Sequence, residues 1–415
     1  MPTLPIPFGR SFLATQIDER RLAAILAPTR SRPQPGDRLV REALQRPIGS
    51  PRLQEIARPG QEVAIVTSDL TRPCPSARLL PPVLKELEAA GIGPAAVTVV
   101  VALGLHRPMS TSELTTAVGE EIISRTQVIN HDVHQTVRVG VTSAGTPVDI
   151  LRTVVQADLR ICLGNIDLHW FAGFSGGSKA LFPGCAGEEG VAANHSMMTS
   201  QGASAGRLEG NPVRSDLEEA ASLVGIDFIL NVIVDGEHHI IGAVAGDAVA
   251  AHRQGAQLAA RRSVVPLPEA ADVVLVSAGG YPKDINLYQA QKALDNARHA
   301  LRPGGIIILV AECREGFGNE TFEQWMREAT SPDACLHRIQ QEFVLGGHKA
   351  AGVARVMQEA QVYLVSALSP SAVAQCGLTP FSTVDDALAT AFGTLGPAAR
   401  VVAMPQGGST LPSVE

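Results

Sequence analysis

The chain has 415 residues, 45% of them apolar and 18% charged, with 34 Lys+Arg against 41 Asp+Glu for a net charge of −7. This balance excludes a disordered or collagen-like chain, and the length suggests two to three domains, each able to bury its own core. A mildly acidic total without a Lys/Arg block argues against nucleic-acid partners, and no apolar run approaches the ~18 residues of a membrane span.

The N-terminus lacks the charged-then-apolar order of a secretory signal. Cysteines at 74, 162, 185, 313, 335 and 376 form no Cys-x-x-Cys pair, so a cytoplasmic chain with reduced thiols is expected. Only five basic residues are lysines: Lys85, Lys179, Lys283, Lys292 and Lys349. In a chain that otherwise uses Arg, the few lysines mark places where an amine is needed, although Lys85, on a helix surface, requires no function.

Apolar, β-branched runs predict strands over 62–67, 96–103, 158–163, 228–234, 272–277, 305–310, 361–365 and 400–404. Helical periodicity fills 76–90, 212–223, 249–262, 286–301, 322–329, 348–360 and 384–392. This alternation predicts two α/β domains with mostly parallel sheets, in which ligands bind beyond the carboxyl ends of strands. The proline-rich stretch 263–270 divides an N-terminal domain, 1–264, from a C-terminal domain, 265–415. The Gly-, Ala- and Ser-rich connection 185–210 reads as a functional loop.

Five segments carry candidate chemistry, most of them at strand ends. The first is Ser68-Asp69-Leu70-Thr71-Arg72-Pro73. Pro73 keeps Arg72 out of a helix, and a loop-internal Asp69–Arg72 ion pair is the preferred reading of this segment alone. His106, in Gly-Leu-His-Arg-Pro, follows the next strand and can serve as acid or base. His131 and His134, two residues short of a closed zinc site, are assigned a structural or supporting role.

The densest block runs from Gly164 through His169, Gly176, Gly177 and Lys179 to Gly184. Ser178 and Ala180 break the Walker pattern. A Gly-rich turn opening a helix can still hold a phosphate through backbone N–H groups, with Lys179 beside it. So many glycines leave few side chains for a core, which argues against a packing explanation. His195 follows sixteen residues after Lys179. In the C-terminal domain, Gln289 and Lys292 share a face near the start of a helix, where an anion is favoured.

Together these segments resemble the nickel-pincer lactate racemase family, over about residues 60–300. The resemblance implies a cofactor that is a pyridinium mononucleotide with sulfur donors, holding nickel in a sulfur–carbon–sulfur pincer. It implies that Lys179 tethers this cofactor covalently, that His195 ligates nickel, and that His106 and His169 are the paired acid/base residues. By the same resemblance Arg72 and Lys292 hold the substrate carboxylate, with Gln289 assisting and Asp69 near the cofactor, in a cleft between the two domains. The implied partners are a small 2-hydroxy acid, lactate or a relative such as malate, and the enzymes that make the cofactor. Lys283 is read as pairing with Asp284 rather than with a second substrate carboxylate. Two other readings are an NAD-type dehydrogenase, which lacks its Gly-x-Gly-x-x-Gly signature here, and a nickel or nucleotide carrier, which would need no bases.

Overall fold

A computed structural model describes residues 3–29 and 35–414. The chain divides into two compact units, one formed by residues 30–260 and the other by 1–29 together with 261–415. The first 29 residues thus belong with the C-terminal segment and not with the domain that follows them in sequence, as a single cut at 264/265 would have it. The strand Leu22–Ile25 accounts for this, because it lies parallel to Val401–Met404 at one edge of the C-terminal sheet.

The unit containing residues 30–260 is built on six strands in the order Ile240–Gly246, Phe228–Val234, Leu159–Asn165, Val63–Ser68, Val97–Ala102, Gln127–Asn130. All neighbours are parallel except Ile240–Gly246 against Phe228–Val234. The central strands are apolar and β-branched because both of their faces are buried, leaving no solvent side for polar residues. Val63 through Thr67 are all buried. The helix Ser76–Ala89 lays Leu79, Leu80, Val83, Leu84 and Leu87 against the strands as one apolar stripe.

The second unit carries a six-stranded, wholly parallel sheet in the order Thr379–Phe381, Gln361–Val365, Leu301–Val310, Ala271–Ser277, Val401–Met404, Leu22–Ile25. Alternating strands and helices with mostly parallel sheets are therefore the architecture of both units. The stretch 185–210 is not a plain loop: it contains the helix Glu188–Ser196 and the short 3-10 turn Met197–Thr199. All six cysteines are free thiols. Among the described residues, no helix is long and apolar enough to cross a membrane.

Candidate active site

Three adjacent parallel strands, Leu159–Asn165, Val63–Ser68 and Val97–Ala102, end side by side. Their following loops carry His169, Asp69 with Arg72, and His106. The next strand, Gln127–Asn130, delivers His131 at the same edge. Segments far apart in sequence therefore converge because parallel strands all point the same way.

Asp69 is buried, and its carboxylate accepts from the Thr71 backbone N–H at 2.9 Å and from the Thr71 hydroxyl at 2.5 Å. Its other oxygen lies 2.6 Å from Nδ1 of His106. Burial raises the Asp69 pKa, but the bonds from His106 and Thr71, with the charges of His106 and Arg72, bring it below its ordinary value. An ionised carboxylate only accepts, so Nδ1 of His106 carries a proton and Nε2 is the nitrogen left for proton transfer. The Asp69–Arg72 ion pair expected from the segment does not form: His106 and Thr71 occupy the carboxylate, and Arg72 stays exposed. The His106 loop is tied to the Lys179 segment by the Gly104 N–H, which donates to the Gly184 carbonyl at 2.9 Å.

His169 sits on the small hairpin formed by Leu168–His169 and Gly173–Phe174. Its Nδ1 accepts from the Ala172 N–H at 3.3 Å, which puts the proton of the neutral ring on Nε2. Burial, followed by the positive charges of Lys179, Arg72, His195 and Arg214, holds its pKa well below the ordinary histidine value. The two candidate acid/base rings are thus unequal: His106 is backed by a carboxylate, His169 is surrounded by cations. Phe171 meets both His169 and His195 edge-on, with ring centroids 4.5 and 5.0 Å away.

Lys179 lies in the four-residue 3-10 turn Gly177–Ala180. Burial first, then Arg72 and Arg214, lowers its pKa to about 7, so much of the amine is neutral and nucleophilic near neutrality. The turn is too short to act as a phosphate-binding helix terminus. The Gly177 N–H is already used, donating to Asn231 Oδ1 at 2.7 Å.

A Cβ on Gly176 would lie 2.7 Å from both Asn231 Oδ1 and Ile166, and one on Gly177 would lie 2.8 Å from the His252 ring. Both glycines also have positive φ, 78° and 60°. Close packing accounts for them, contrary to the expectation that such a glycine-rich block has no packing role. Trp170, Phe171, Phe174, Leu181 and Phe182 from the same block are buried.

Arg214 escaped the sequence reading. It is 1% exposed on the helix Pro212–Ser222 and donates to the carbonyls of Ala172 (3.3 Å) and Phe174. Asn211, which caps that helix, holds the Phe171 carbonyl at 2.9 Å. The hairpin bearing His169 is therefore clamped from below. Burial lowers the Arg214 pKa to about 10, Glu218 opposing the fall. A sequence signal existed only in the break of the helix's apolar stripe, where Arg follows Val213.

His131 is buried, and among the described residues neither of its ring nitrogens meets a hydrogen-bond partner, while His134 is exposed. Burial lowers the His131 pKa to about 4, against the smaller opposing influences of Asp132 and the Gly104 backbone.

In the other unit, Gln289 and Lys292 are exposed near the start of the helix Leu287–Ala297, whose cap Asn286 accepts from the Gln289 N–H at 3.0 Å. Lys349 is buried there and donates to Gln291 Oε1 at 2.8 Å. Asp284 Oδ2 accepts from the backbone N–H groups of Gly9 (2.6 Å) and Glu312 (3.2 Å), while Lys283 donates to the Ser409 hydroxyl at 3.0 Å.

Comparison with known proteins identifies the family of the chain. Residues 8–206 match the lactate racemase N-terminal domain and residues 267–411 the lactate racemase C-terminal domain. The lactate racemase of Thermoanaerobacterium thermosaccharolyticum is 32% identical over 99% of both chains. That of Lactiplantibacillus plantarum is 33% identical over 98% of this chain and 99% of its own. The solved apoprotein from T. thermosaccharolyticum superposes with a TM-score of 0.91, covering 99% of this chain and all of its own. A solved Thermotoga maritima protein, 18% identical with a TM-score of 0.66 over 91% of this chain and 98% of its own, shares the fold. With both domains matched and a third of its residues identical to proteins named as racemases, the chain is an isomerase that belongs to the lactate racemase family.

Proposed function

We propose that the protein racemises a small 2-hydroxy acid, lactate in the first instance, with His106 and His169 handling the hydroxyl proton and a nickel-pincer nucleotide as cofactor. The observation that carries this reading is the convergence of the Asp69–His106 pair, His169 and Lys179 at the ends of neighbouring strands. A carrier would need no such bases, and a dehydrogenase would need a dinucleotide signature that the chain lacks.

The residues suit that cofactor. Lys179 offers an amine with a pKa lowered to about 7, fit to form a covalent bond to a carboxyl or thiocarboxyl carbon. Among the described residues no three His, Cys, Asp or Glu side chains are grouped as a self-sufficient metal site. A nickel ion here would draw most of its donors from elsewhere, as a sulfur–carbon–sulfur pincer provides, with His195 adding an imidazole. When bound, the cofactor supplies the hydride acceptor.

The chain's own part is proton transfer and positioning. His106, aligned by Asp69 through Nδ1, exchanges the hydroxyl proton at Nε2. His169, kept neutral by burial and then by its cationic surroundings, presents its Nε2 edge to the substrate oxygen. Arg72, Lys292 and Gln289 are assigned to the substrate carboxylate, a role suited to two cations and an amide.

The test uses protein co-produced with the cofactor-making enzymes and a panel of 2-hydroxy acids, lactate and malate included, followed by chiral analysis in heavy water. Racemised lactate that keeps its original 2-hydrogen is the expected result. Deuterium at that carbon would replace hydride transfer with a carbanion route, and no racemisation of any member would defeat the reading. Intact mass should also show one heavier species, absent in Lys179→Ala.

A further inference from the structure

We propose that Asn194 and Asp216 form a relay that fixes the tautomer of His195, placing its proton on Nδ1 and its lone pair on Nε2, the nitrogen that binds nickel. The role in metal binding rests on the assignment of His195 as the nickel ligand; the tautomer itself does not.

Asn194 precedes His195 on the helix Glu188–Ser196 and is fully buried. Its Nδ2 donates to the Val213 carbonyl at 3.1 Å and to Asp216 Oδ2 at 2.8 Å. A carbonyl oxygen has no hydrogen to give, and Asp216 receives further bonds from the hydroxyls of Thr142 and Thr146. Turning the amide over would set Oδ1 against both acceptors, in a place where unmade hydrogen bonds are costly. The amide therefore has one orientation, with Oδ1 toward His195 Nδ1 at 3.2 Å. An amide oxygen only accepts, so Nδ1 must carry the hydrogen.

Asp216 is itself held fast. The Thr142 hydroxyl accepts from the Thr146 N–H at 3.1 Å, which directs its own hydrogen to Asp216, and the Thr146 hydroxyl reaches the other carboxylate oxygen at 2.9 Å. The relay runs from the turn at 142–146 through Asp216, on Pro212–Ser222, to Asn194 and His195. Metal-binding histidines depend on such an outer bond for ring orientation and tautomer, and losing it typically costs about 10- to 100-fold in metal affinity. Asn194 and Asp216 are positioning residues here, since neither is assigned a contact with nickel or substrate.

The experiment begins with full-length wild-type protein labelled with ¹⁵N-histidine, at a pH where His195 is neutral. Its resonances are identified by their loss in His195→Gln. A protonated Nδ1 with an unprotonated Nε2 is the expected spectrum, and the opposite tautomer would overturn the relay without recourse to any variant.

Next, nickel loss from cofactor-loaded protein into EDTA is timed for Asn194→Leu, Asp216→Asn and His195→Ala, with circular dichroism to confirm folding. Both relay variants should release nickel about 10- to 100-fold faster than wild type, and His195 should show mixed tautomers. If His195→Ala loses nickel but the folded relay variants keep wild-type release and tautomer, the relay is wrong. If His195→Ala holds nickel as wild type does, the ligand assignment fails and the relay's role in metal binding falls with it. Should Asn194→Leu not fold, Asp216→Asn and the wild-type spectrum still decide.

Discussion

His106 Nδ1 lies 2.6 Å from Asp69 Oδ2, joining two loops whose residues are 37 positions apart. The pairing exists because the strands Val63–Ser68 and Val97–Ala102 run parallel in register, Ser68 opposite Ala102, so that their exit loops start side by side. It gives a flexible imidazole one orientation and one working nitrogen.

Replacing that carboxylate by an amide of the same shape tests its importance. In Asp69→Asn the side chain can present N–H to His106 Nδ1 and favour the wrong tautomer. kcat/KM of the loaded enzyme should fall by about 10²- to 10⁴-fold, mostly in kcat, with the fold intact. A change below threefold in steady-state assays would remove Asp69 from the catalytic arrangement.

Lys179 offers a test that needs no cofactor. With its pKa lowered to about 7 by burial and by Arg72 and Arg214, its neutral fraction should rise through neutral pH. Acetylation of the apoprotein, followed by peptide mass spectrometry, should show Lys179 reactivity with a midpoint near pH 7. Exposed Lys85 serves as the internal reference for each measurement. Arg72→Gln should move the Lys179 midpoint upward, because it removes a neighbouring positive charge.

The buried His131 gives a stability prediction with a defined sign. Its folded pKa is lowered to about 4 from 6.5. Between those values the unfolded chain binds a proton that the folded chain refuses, so stability falls as the pH drops from about 6.5 to 4. Above that window the contribution is complete, and below it nothing more is lost. The full effect is about 3 kcal/mol. Urea unfolding at pH 7.5 and pH 4.5 should show His131→Gln losing less stability on acidification than wild type; equal losses would place the proton uptake elsewhere.

Arg214→Leu should be costly although the residue is assigned no contact with substrate. The substitution takes the Arg214 donor from the buried Phe174 carbonyl, leaves the Ala172 carbonyl with only the Phe174 N–H at 3.0 Å, and leaves Glu218 without one of its cations. A loss of about 2–4 kcal/mol is expected, visible as a lower Tm. The His169 hairpin should become the first segment of its unit to exchange amide hydrogens. Protection there equal to wild type would show that the clamp is dispensable.

The sequence alone determined the alternation of strands and helices, because apolar β-branched runs such as Val97-Thr-Val-Val-Val101 have few other ways to bury their side chains. It also placed Asp69, His106 and His169 just after strand ends, and a parallel sheet gathers such positions on one edge. Short, half-exposed elements such as Leu22–Ile25 carried too little periodicity to be read, so the unit to which the first 29 residues belong was settled only by strand pairing. Partner choice was likewise a tertiary matter. Asp69 takes His106 over the nearby Arg72, and Gly176 and Gly177 answer to Asn231 and His252, because hydrogen bonds and packing depend on distances in space between loops remote in the chain. The bonds that orient Asn194 are decided in the same way, by a helix and a turn that sequence spacing does not relate.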